Sequence, residues 1–394
     1  MKINSYPQIV KDTLIMKKDP PLSYIELSKK NLIHNFNQFK KLAKKETKLS
    51  VAVKGNAYGH GLVEIVKILK SHVDYFQVNS VEELELLRKT SKKQTFVLGY
   101  VQKSDLKQAI NLGCILSIFS IKQMLTISAI AKNVDVVQEV HISVDAYLGR
   151  EGFLLEELPK ILGKIKKYKF IKLTGIYAHF ANIEDTTNFS HAQKQIKEYG
   201  KALLLAKKFG FNDLQTHISA TSGHLVYEKG EGINSLIRLG IGVYGMWPSE
   251  KLKFIYESSG FNLKPVLSWK TKITQIKSLP AGRTIGYGLT YKTKKKTKIA
   301  IIPQGYADGL DRGLSNKGKV LIKGKRCKIL GRVSMNMFVV DVSHLGKVNL
   351  DDEVVIIGSQ GKEQITAEEI AKDINTINYE ITTRLSSLLP RIII

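Results

Sequence analysis

The chain has few of the features that mark secreted, metal-cluster or membrane proteins. Its 394 residues include only two cysteines, Cys114 and Cys327, which excludes a disulfide framework and a metal cluster held by thiolates. No apolar run is long enough to span a bilayer. The first twenty residues lack the continuous apolar centre of a secretory signal. We therefore expect a cytoplasmic protein with reduced thiols.

Acidic residues are also few, since 35 of them face 61 lysines and arginines and the net charge is +26. A nucleic-acid-binding protein would show a basic stripe on one face or a recognition motif. Here the lysines are scattered, as in FNQFKKLAKKETK and TYKTKKKTKIA, and no zinc-finger spacing, RNP motif or heptad repeat is present. The charge predicts solvated surface lysines, with a weaker attraction for anionic partners as the alternative. Only a steeply salt-dependent gel shift would favour nucleic-acid binding.

Short β-branched and aromatic runs alternate with segments of helical periodicity over the first two thirds of the chain. The runs are SVAVK, DYFQV, QTFVLG, ILSIF, EVHISVD, LTGIYAHF, LQTHISA and LIRLGIGVYG. The intervals, such as SHAQKQIKEYGKALLLAKK, have apolar residues spaced at three and four. Eight strands that alternate with helices predict an α/β fold with an N-terminal (β/α)8 TIM-type barrel.

The pattern changes near residue 263, where strands begin to follow one another through turns. KIAIIPQ, KVLIKGKRCKILG, MFVVDV and DEVVIIG predict a C-terminal, mainly β domain, with one helix in TAEEIAKDI. The length fits two domains better than one. The predicted organisation is an N-terminal extension at residues 1–21, a barrel at 22–262 and the β domain at 263–394.

The first chemical signal is VAVKGNAYGHG at residues 51–61, in which Lys54 ends an apolar strand and three glycines follow. The carboxyl end of a barrel strand is the usual place for a catalytic side chain. Burial there lowers the pKa of an amine, and a neutral amine can form a Schiff base with a carbonyl compound. The alternative is a strand-end lysine that extends into water.

The same segment resembles the cofactor-binding lysine motif of the alanine racemases. The resemblance continues, in the family's order, through LSYIEL, IYAHFA, ATSG, IRLGIGVYG, IGYG, IPQGYADG, GRVSMNM and NYEI. It covers about Leu22 to Arg391, and VKGNAYGHG and GYADG are its most specific motifs. This resemblance implies a barrel that binds pyridoxal 5'-phosphate (PLP), followed by a β domain.

The resemblance implies an enzyme that interconverts L-alanine and D-alanine by a two-base mechanism and supplies D-alanine for peptidoglycan. A racemase for serine, lysine or another amino acid is an alternative. A non-catalytic PLP-binding protein is another, although related proteins of that kind consist of a single barrel. The resemblance also implies a homodimer with active sites shared between subunits.

The resemblance assigns roles to individual residues. Lys54 would bind PLP covalently and act as one base, and Tyr287 would act as the second base from the partner subunit. Further cofactor-binding residues would be Tyr58, His179, Ser222, Arg238, Gly240, Ile241 and Tyr379; substrate-binding residues would be Arg150, Met335 and Tyr306. Arg238 would face the pyridine nitrogen and leave it unprotonated, because arginine does not give up its proton. Tyr306 would limit the size of the substrate side chain.

Most of these residues have an ordinary structural alternative. Tyr287 and Tyr306 could be turn tyrosines, Arg238 could form a structural ion pair, and His179 could be a hydrogen-bonded core side chain. Ser222 could cap a helix, and its register relative to the family is offset by about one residue.

One segment departs from the family in a way that bears on Arg150. Many family members have a carbamylated lysine where this chain has Ser143, so that modification is ruled out here. An unpaired, partly buried Arg150 would be costly. We expect compensation by a small bound anion such as chloride near Ser143 and Arg150, or by Asp145 turning toward the guanidinium. Asn336 also replaces a common acidic residue, which puts the substrate preference in doubt.

Overall fold

The computed structural model describes residues 20–227 and 234–394, so most of the predicted extension 1–21 lies outside the described residues. A first strand, β1 (Tyr24–Leu27), precedes eight parallel strands. These are β2 (Lys48–Ala52), β3 (Tyr75–Val78), β4 (Thr95–Val97), β5 (Ile115–Ile118), β6 (Gln138–Ser143), β7 (Ile171–Tyr177), β8 (Gln215–His217) and β9 (Leu236–Leu239).

The eight parallel strands form a barrel. They lie side by side in chain order, and β9 pairs with β2. Between β8 and β9 the ring closes through two backbone hydrogen bonds, from Ser235 N to the Thr216 carbonyl (2.9 Å) and from Arg238 N to the Ser219 carbonyl (3.0 Å). The predicted eight-stranded barrel is thus confirmed. The apolar side chains of most of its strands are buried by neighbouring strands and by the surrounding helices.

Helices connect the barrel strands and bury one face against them. In the helix Lys29–Leu42 the buried side chains Leu32, Phe36 and Phe39 recur at four and three residues. The Ser28 hydroxyl accepts a hydrogen bond from Asn31 N and begins this helix. The other barrel helices are Leu62–Leu69, Val81–Arg88, Lys103–Asn111, Ile121–Asn133, Leu158–Ile165, Ser190–Lys208, Thr221–Val226 and Glu250–Glu257. Among the described residues, no helix has the length and apolar character needed to cross a membrane.

The second domain is mainly β, as predicted. Its strands are β10 (Leu267–Lys272), β11 (Gln275–Leu279), β12 (Thr284–Ile285), β13 (Tyr291–Lys292), β14 (Thr297–Ile302), β15 (Lys319–Ile322), β16 (Lys325–Lys328), β17 (Phe338–Asp341), β18 (Glu353–Gln360), β19 (Glu363–Ile365) and β20 (Arg391–Ile393). The larger sheet has the order β16-β15-β18-β10-β1-β20, and a smaller sheet has the order β11-β14-β17. The helices Ala367–Ile374 and Asn378–Thr383 complete this domain.

Strand β1 lies in a different domain from the one that the sequence predicted for it. Residues 22–262 were expected to form the barrel, but β1 pairs antiparallel with β10 and parallel with β20 in the sheet of the second domain. Glu26 of β1 forms an ion pair with Lys270 at 2.8 Å. The first described strand therefore belongs to the sheet of the second domain, and the chain enters the barrel from Ser28 onward. This crossing, together with the Asn35 amide that donates to the Lys264 carbonyl at 2.8 Å, fixes one domain against the other.

Candidate active site

Two adjoining cavities open at the carboxyl ends of the barrel strands, where catalytic residues of such barrels are found. The first has about 650 Å³ of open space and contains Lys54, Tyr58, Arg150, His179, Arg238 and Gly240 in its wall. The second has about 900 Å³ and is lined by Tyr58, His179, Ser222, Gly240, Ile241 and Tyr379. The barrel thus brings together all the site residues that the sequence placed in its own segment, and Tyr379 from the second domain joins them.

Lys54 lies just after β2 and is largely buried in the first cavity. Burial lowers the pKa of its amine, and the positive charges of Arg150 and Arg238 lower it further. The carboxylates of Glu83 and Glu151 act in the opposite direction. The net shift favours the neutral amine that nucleophilic and base chemistry needs.

The glycine-rich stretch after Lys54 forms a left-handed turn. Gly55, Asn56, Ala57 and Tyr58 all have φ between 52° and 62°, a conformation that costs non-glycine residues free energy. The turn is held by polar contacts, since Glu83 accepts hydrogen bonds from Gly55 N (2.6 Å) and from Asn79 N (2.7 Å). These contacts explain why a strained turn persists directly after the candidate lysine.

The second domain packs closely against the same turn. A Cβ at Gly59 would lie 1.7 Å from the Thr382 carbonyl oxygen, and Gly59 has φ +82°. The guanidinium of Arg391 donates to the Gly59 carbonyl at 2.9 Å. The position of Lys54 therefore depends on the second domain as well as on the barrel.

Arg238 sits at the centre of a buried polar network. Its guanidinium donates to His217 Nδ1 (2.5 Å), to the Ala178 carbonyl (2.7 Å) and to His179 Nδ1 (3.1 Å). His217 Nε2 in turn contacts His141 Nδ1 at 2.8 Å. Burial lowers the pKa of Arg238 to about 10, so it stays charged at neutral pH. Burial, followed by the charge of Arg238, lowers the pKa of His179 to about 3, so this imidazole is neutral.

Hydroxyl groups surround the second cavity. Among the described residues, no hydrogen-bond partner contacts the hydroxyls of Tyr58 and Tyr379, whose rings lie 6.1 Å apart. A Cβ at Gly240 would lie 2.9 Å from the Tyr58 hydroxyl. Glycine at this position therefore allows the backbone and the hydroxyl to line the same cavity. Thr221 accepts from Gly240 N at 3.1 Å and holds the loop after β9. This arrangement can receive an anion with several acceptor oxygens.

Arg150 lies at the rim of the first cavity and pairs with its neighbour. Its Nε is 3.3 Å from Glu151 Oε2. The expected alternative partner, Asp145, instead accepts hydrogen bonds from Leu148 N and Gly149 N, both at 2.9 Å. The prediction that Asp145 turns toward Arg150 is therefore wrong, because both of those bonds tie its carboxylate to its own loop.

Tyr287, Tyr306 and Met335 are placed elsewhere, on an exposed face of the second domain. We call this the exposed face and define it by its five exposed side chains, Tyr287, Leu289, Tyr306, Met335 and Met337. Tyr287 is 71% exposed and is preceded and followed by glycines with positive φ, which turn its ring outward between β12 and β13. None of the five lines either cavity of the same chain.

Sequence reasoning missed three residues that shape the site. Glu83 had a usable signal, because Ser80 and Glu83 have the spacing of a helix capping box, although its carboxylate reaches Asn79 N and Gly55 N instead of the cap itself. Thr221 stands one residue before the predicted Ser222, which agrees with the uncertain register there. Glu151 had no signal beyond its position next to Arg150.

Family models match nearly the whole described chain. "Alanine racemase, N-terminal domain" matches residues 27–248, and "Alanine racemase, C-terminal domain" matches residues 266–393. The alanine racemase of Leptospira interrogans is 35% identical over 386 residues, covering 96% of this chain and 97% of that protein. The alanine racemase of Methylacidiphilum infernorum is 35% identical over 375 residues, covering 94% and 92%.

Solved structures agree with this. The alanine racemase of Clostridium difficile 630 superposes with a TM-score of 0.88 at 30% identity, covering 95% of this chain and 96% of that one. The alanine racemase of Bacillus anthracis with bound L-Ala-P gives a TM-score of 0.88 at 32% identity, covering 95% of each chain. With both domains matched and relatives above 30% identity along almost its full length, the chain belongs to the alanine racemase family.

Proposed function

We propose that this chain is a PLP-dependent racemase that interconverts L-alanine and D-alanine. The observation that carries the proposal is the convergence of Lys54 and Arg238 on one cavity at the barrel mouth, in a chain of this family. By family analogy the D-alanine would serve peptidoglycan synthesis.

The residues present fit PLP. The cofactor has an aldehyde, a ring nitrogen and a phosphate, which need an amine, a polar partner and several donors. Lys54 supplies the amine, and Arg238 supplies a partner that stays protonated beside a ring nitrogen. Loops after the seventh and eighth strands are the usual phosphate site of such barrels. There Ser222, Gly240, Ile241 and the hydroxyls of Tyr58 and Tyr379 would hold the phosphate.

Bound PLP supplies an electron sink that makes the Cα proton of an amino acid acidic. Racemisation then needs a proton carrier on each face of Cα. Lys54 Nζ is one carrier, and its lowered pKa increases the fraction of neutral amine that can accept a proton. Tyr287 Oη is proposed as the other. His179, neutral and bonded to Arg238, lies in the wall between the two cavities, where it would pack beside the cofactor.

The exposed face supports a homodimer in which each barrel receives Tyr287 from its partner. An exposed tyrosine cannot reach the substrate in its own barrel, and the four other exposed, largely apolar side chains of this face are typical of an interface. Tyr306 and Met335 lie on this face, and we propose that they too reach the partner's cavity, where Tyr306 would limit the side chain of the substrate.

Arg150 is proposed to bind the substrate carboxylate, because its guanidinium lines the cavity that holds Lys54. The bound anion expected near Ser143 and Arg150 stays a prediction. The contacts of Arg150 favour Glu151 as its partner, as argued below.

Racemisation assays on the purified protein with alanine, serine and lysine test the proposed function. We expect alanine to be the best substrate by kcat/KM. Faster turnover of serine or lysine would favour the alternative specificity, and absence of racemisation in a protein that binds PLP would favour the non-catalytic alternative.

Borohydride reduction tests the cofactor site. The reduced protein should contain one PLP group per chain, and a peptide map should place it on Lys54, with Lys48 of the same strand as the unmodified internal control. Attachment to another lysine would contradict the assignment.

A further inference from the structure

Glu151 is the only carboxylate in the wall of the first cavity as the described residues define it. The same wall contains two cationic residues, Arg150 and Arg238, and the amine of Lys54. Both arginines lower the pKa of Lys54, whereas Glu151 raises it. Glu151 is thus placed to offset the positive charge of the two arginines in a cavity that must bind and release the carboxylate of an amino acid.

The contact between Glu151 and Arg150 uses one particular edge of the guanidinium. Oε2 lies 3.3 Å from Nε, and Oε1 lies 3.4 Å from Nη2. A guanidinium has two edges that can bind a carboxylate with parallel hydrogen bonds. Glu151 takes the edge formed by Nε and Nη2. No described residue forms a hydrogen bond or ion pair with Nη1, so the outer edge formed by Nη1 and Nη2 remains available for a second carboxylate.

The backbone of Glu151 is anchored at the end of β6. The Ser143 hydroxyl donates to the Glu151 carbonyl at 3.1 Å, and Phe153 N donates to the Ser143 carbonyl at 2.9 Å. Gly152 has φ +151°, and a Cβ there would lie 2.6 Å from Asp145 N. This close approach fixes the chain direction on the far side of Glu151. Ser143 therefore orients the residue that pairs with Arg150 and does not pair with Arg150 itself.

We propose that Glu151 is a positioning residue that holds the Nε–Nη2 edge of Arg150 so that the outer edge meets the substrate carboxylate. The proposal rests on the proposed role of Arg150 in substrate binding. It assigns to a side chain of this chain the function that the sequence led us to expect of a bound anion. The Arg150 and Glu151 side chains are about half exposed in one chain, so the effect on substrate binding should be moderate.

Steady-state kinetics of Glu151→Gln provide the test. We expect KM for alanine to rise about fivefold, with kcat within about twofold, because an exposed ion pair contributes about that much to holding a side chain in place. Glu151→Asp should recover part of the loss. Glu151→Ala should be activated by added formate, which can enter the vacated space as a small carboxylate. Glu156→Gln, an exposed acid five residues along, is the matched control and should behave as the unaltered protein.

Anion exchange separates Glu151 from a bound anion. With Glu151 present, replacing chloride by gluconate at constant ionic strength should leave activity unchanged, and a fall would overturn the proposal in favour of a bound halide. An unchanged KM in Glu151→Gln would also overturn it.

Arg150→Ala distinguishes failure of this proposal from failure of the proposed function. If Arg150→Ala raises KM strongly while Glu151→Gln does not, only the role of Glu151 is lost. If Arg150→Ala leaves KM unchanged, the carboxylate-binding role of Arg150 is lost, and the proposal for Glu151 fails with it.

Discussion

The barrel mouth, where the two cavities open, differs from the exposed face of the second domain in how many contacts its polar side chains make within one chain. At the mouth, Arg238 is buried and makes hydrogen bonds to two histidines and to backbone carbonyls, and Lys54 is held by a turn fixed from both domains. On the exposed face, Tyr287 is 71% exposed, and the other side chains that define this face are Leu289, Tyr306, Met335 and Met337. The difference supports the proposal that one chain supplies the cofactor-binding residues, whereas the second base comes from another copy.

The largest expected effect falls on the exposed face. Tyr287→Phe should lower kcat about 10³-fold, because loss of a proton carrier removes a contribution of that order. The variant should still bind PLP, because the mouth is unaltered, and should exchange the Cα proton with deuterated water from one enantiomer only. Near-normal racemisation would remove Tyr287 from the reaction and break the comparison between the two regions.

Substitution of a glycine in the turn after Lys54 should lower the free energy of unfolding. Gly59→Ala should lower the free energy of unfolding by about 3 kcal/mol, since it combines a left-handed φ with a clash at the Thr382 carbonyl. Urea unfolding measures this. Gly113→Ala is the matched control, since Gly113 also has a positive φ but no neighbour within 4 Å of an added Cβ. We expect it to lose only about 1 kcal/mol, and equal losses would refute the tight contact between domains.

Acid should weaken the fold because two histidines, His60 beside the turn after Lys54 and His141 on β6, are buried and neutral. Burial lowers the pKa of His60 to about 4 and that of His141 to about 3. Unfolded histidines take up protons near pH 6.5. Stability is therefore full above pH 6.5 and declines as the pH falls toward 4 and then 3, by about 1.4 kcal/mol per pH unit for each such histidine.

Urea unfolding between pH 7 and 5 checks this expectation. His60→Asn should reduce the slope of stability against pH, with a difference of about 2 kcal/mol from the unaltered protein at pH 5. An identical slope in the variant would show that His60 is not held neutral in the fold.

The smallest expected effect concerns association. Leu289→Ser on the exposed face should weaken the dimer about tenfold in Kd, because partial burial of a leucine contributes about 0.7 kcal/mol in each of the two copies. Leu204→Ser is the matched control, because both leucines are 68% exposed but Leu204 lies on the helix Ser190–Lys208 of the barrel. Analytical ultracentrifugation should show a change only for Leu289→Ser, and equal changes would argue against this face as the interface.

Sequence reasoning predicted the parts of the molecule that depend on local pattern. The eight barrel strands follow from apolar runs separated by helical periodicity, and Lys54 was placed at a strand end because its run is short and bounded by glycine. Strand β1 could not be assigned in this way, because its pairing with β20 joins residues more than 360 positions apart. Nothing local distinguishes a strand that enters a barrel from one that pairs in a second sheet.

The polar contacts of the site were harder to predict than its main residues. Family resemblance pointed to Arg150, but its partner depends on side-chain geometry at the loop after β6. Asp145 lies two residues after Ser143, which places both on the same face of an extended strand, yet its carboxylate accepts hydrogen bonds from Leu148 N and Gly149 N. The pairing of Glu151 with Arg150 could be recognised only from the positions of the carboxylate and the guanidinium in the structure.

Subunit complementation tests the shared site most directly. Lys54→Ala and Tyr287→Phe should each be inactive alone. After the two are mixed, dissociated and reassociated in equal amounts, half of the dimers should be heterodimers with one intact site of two, so about a quarter of the unaltered activity should return. Differently tagged subunits show whether heterodimers have formed. No recovery of activity in the presence of such heterodimers would contradict the delivery of Tyr287 from one copy to the barrel of the other.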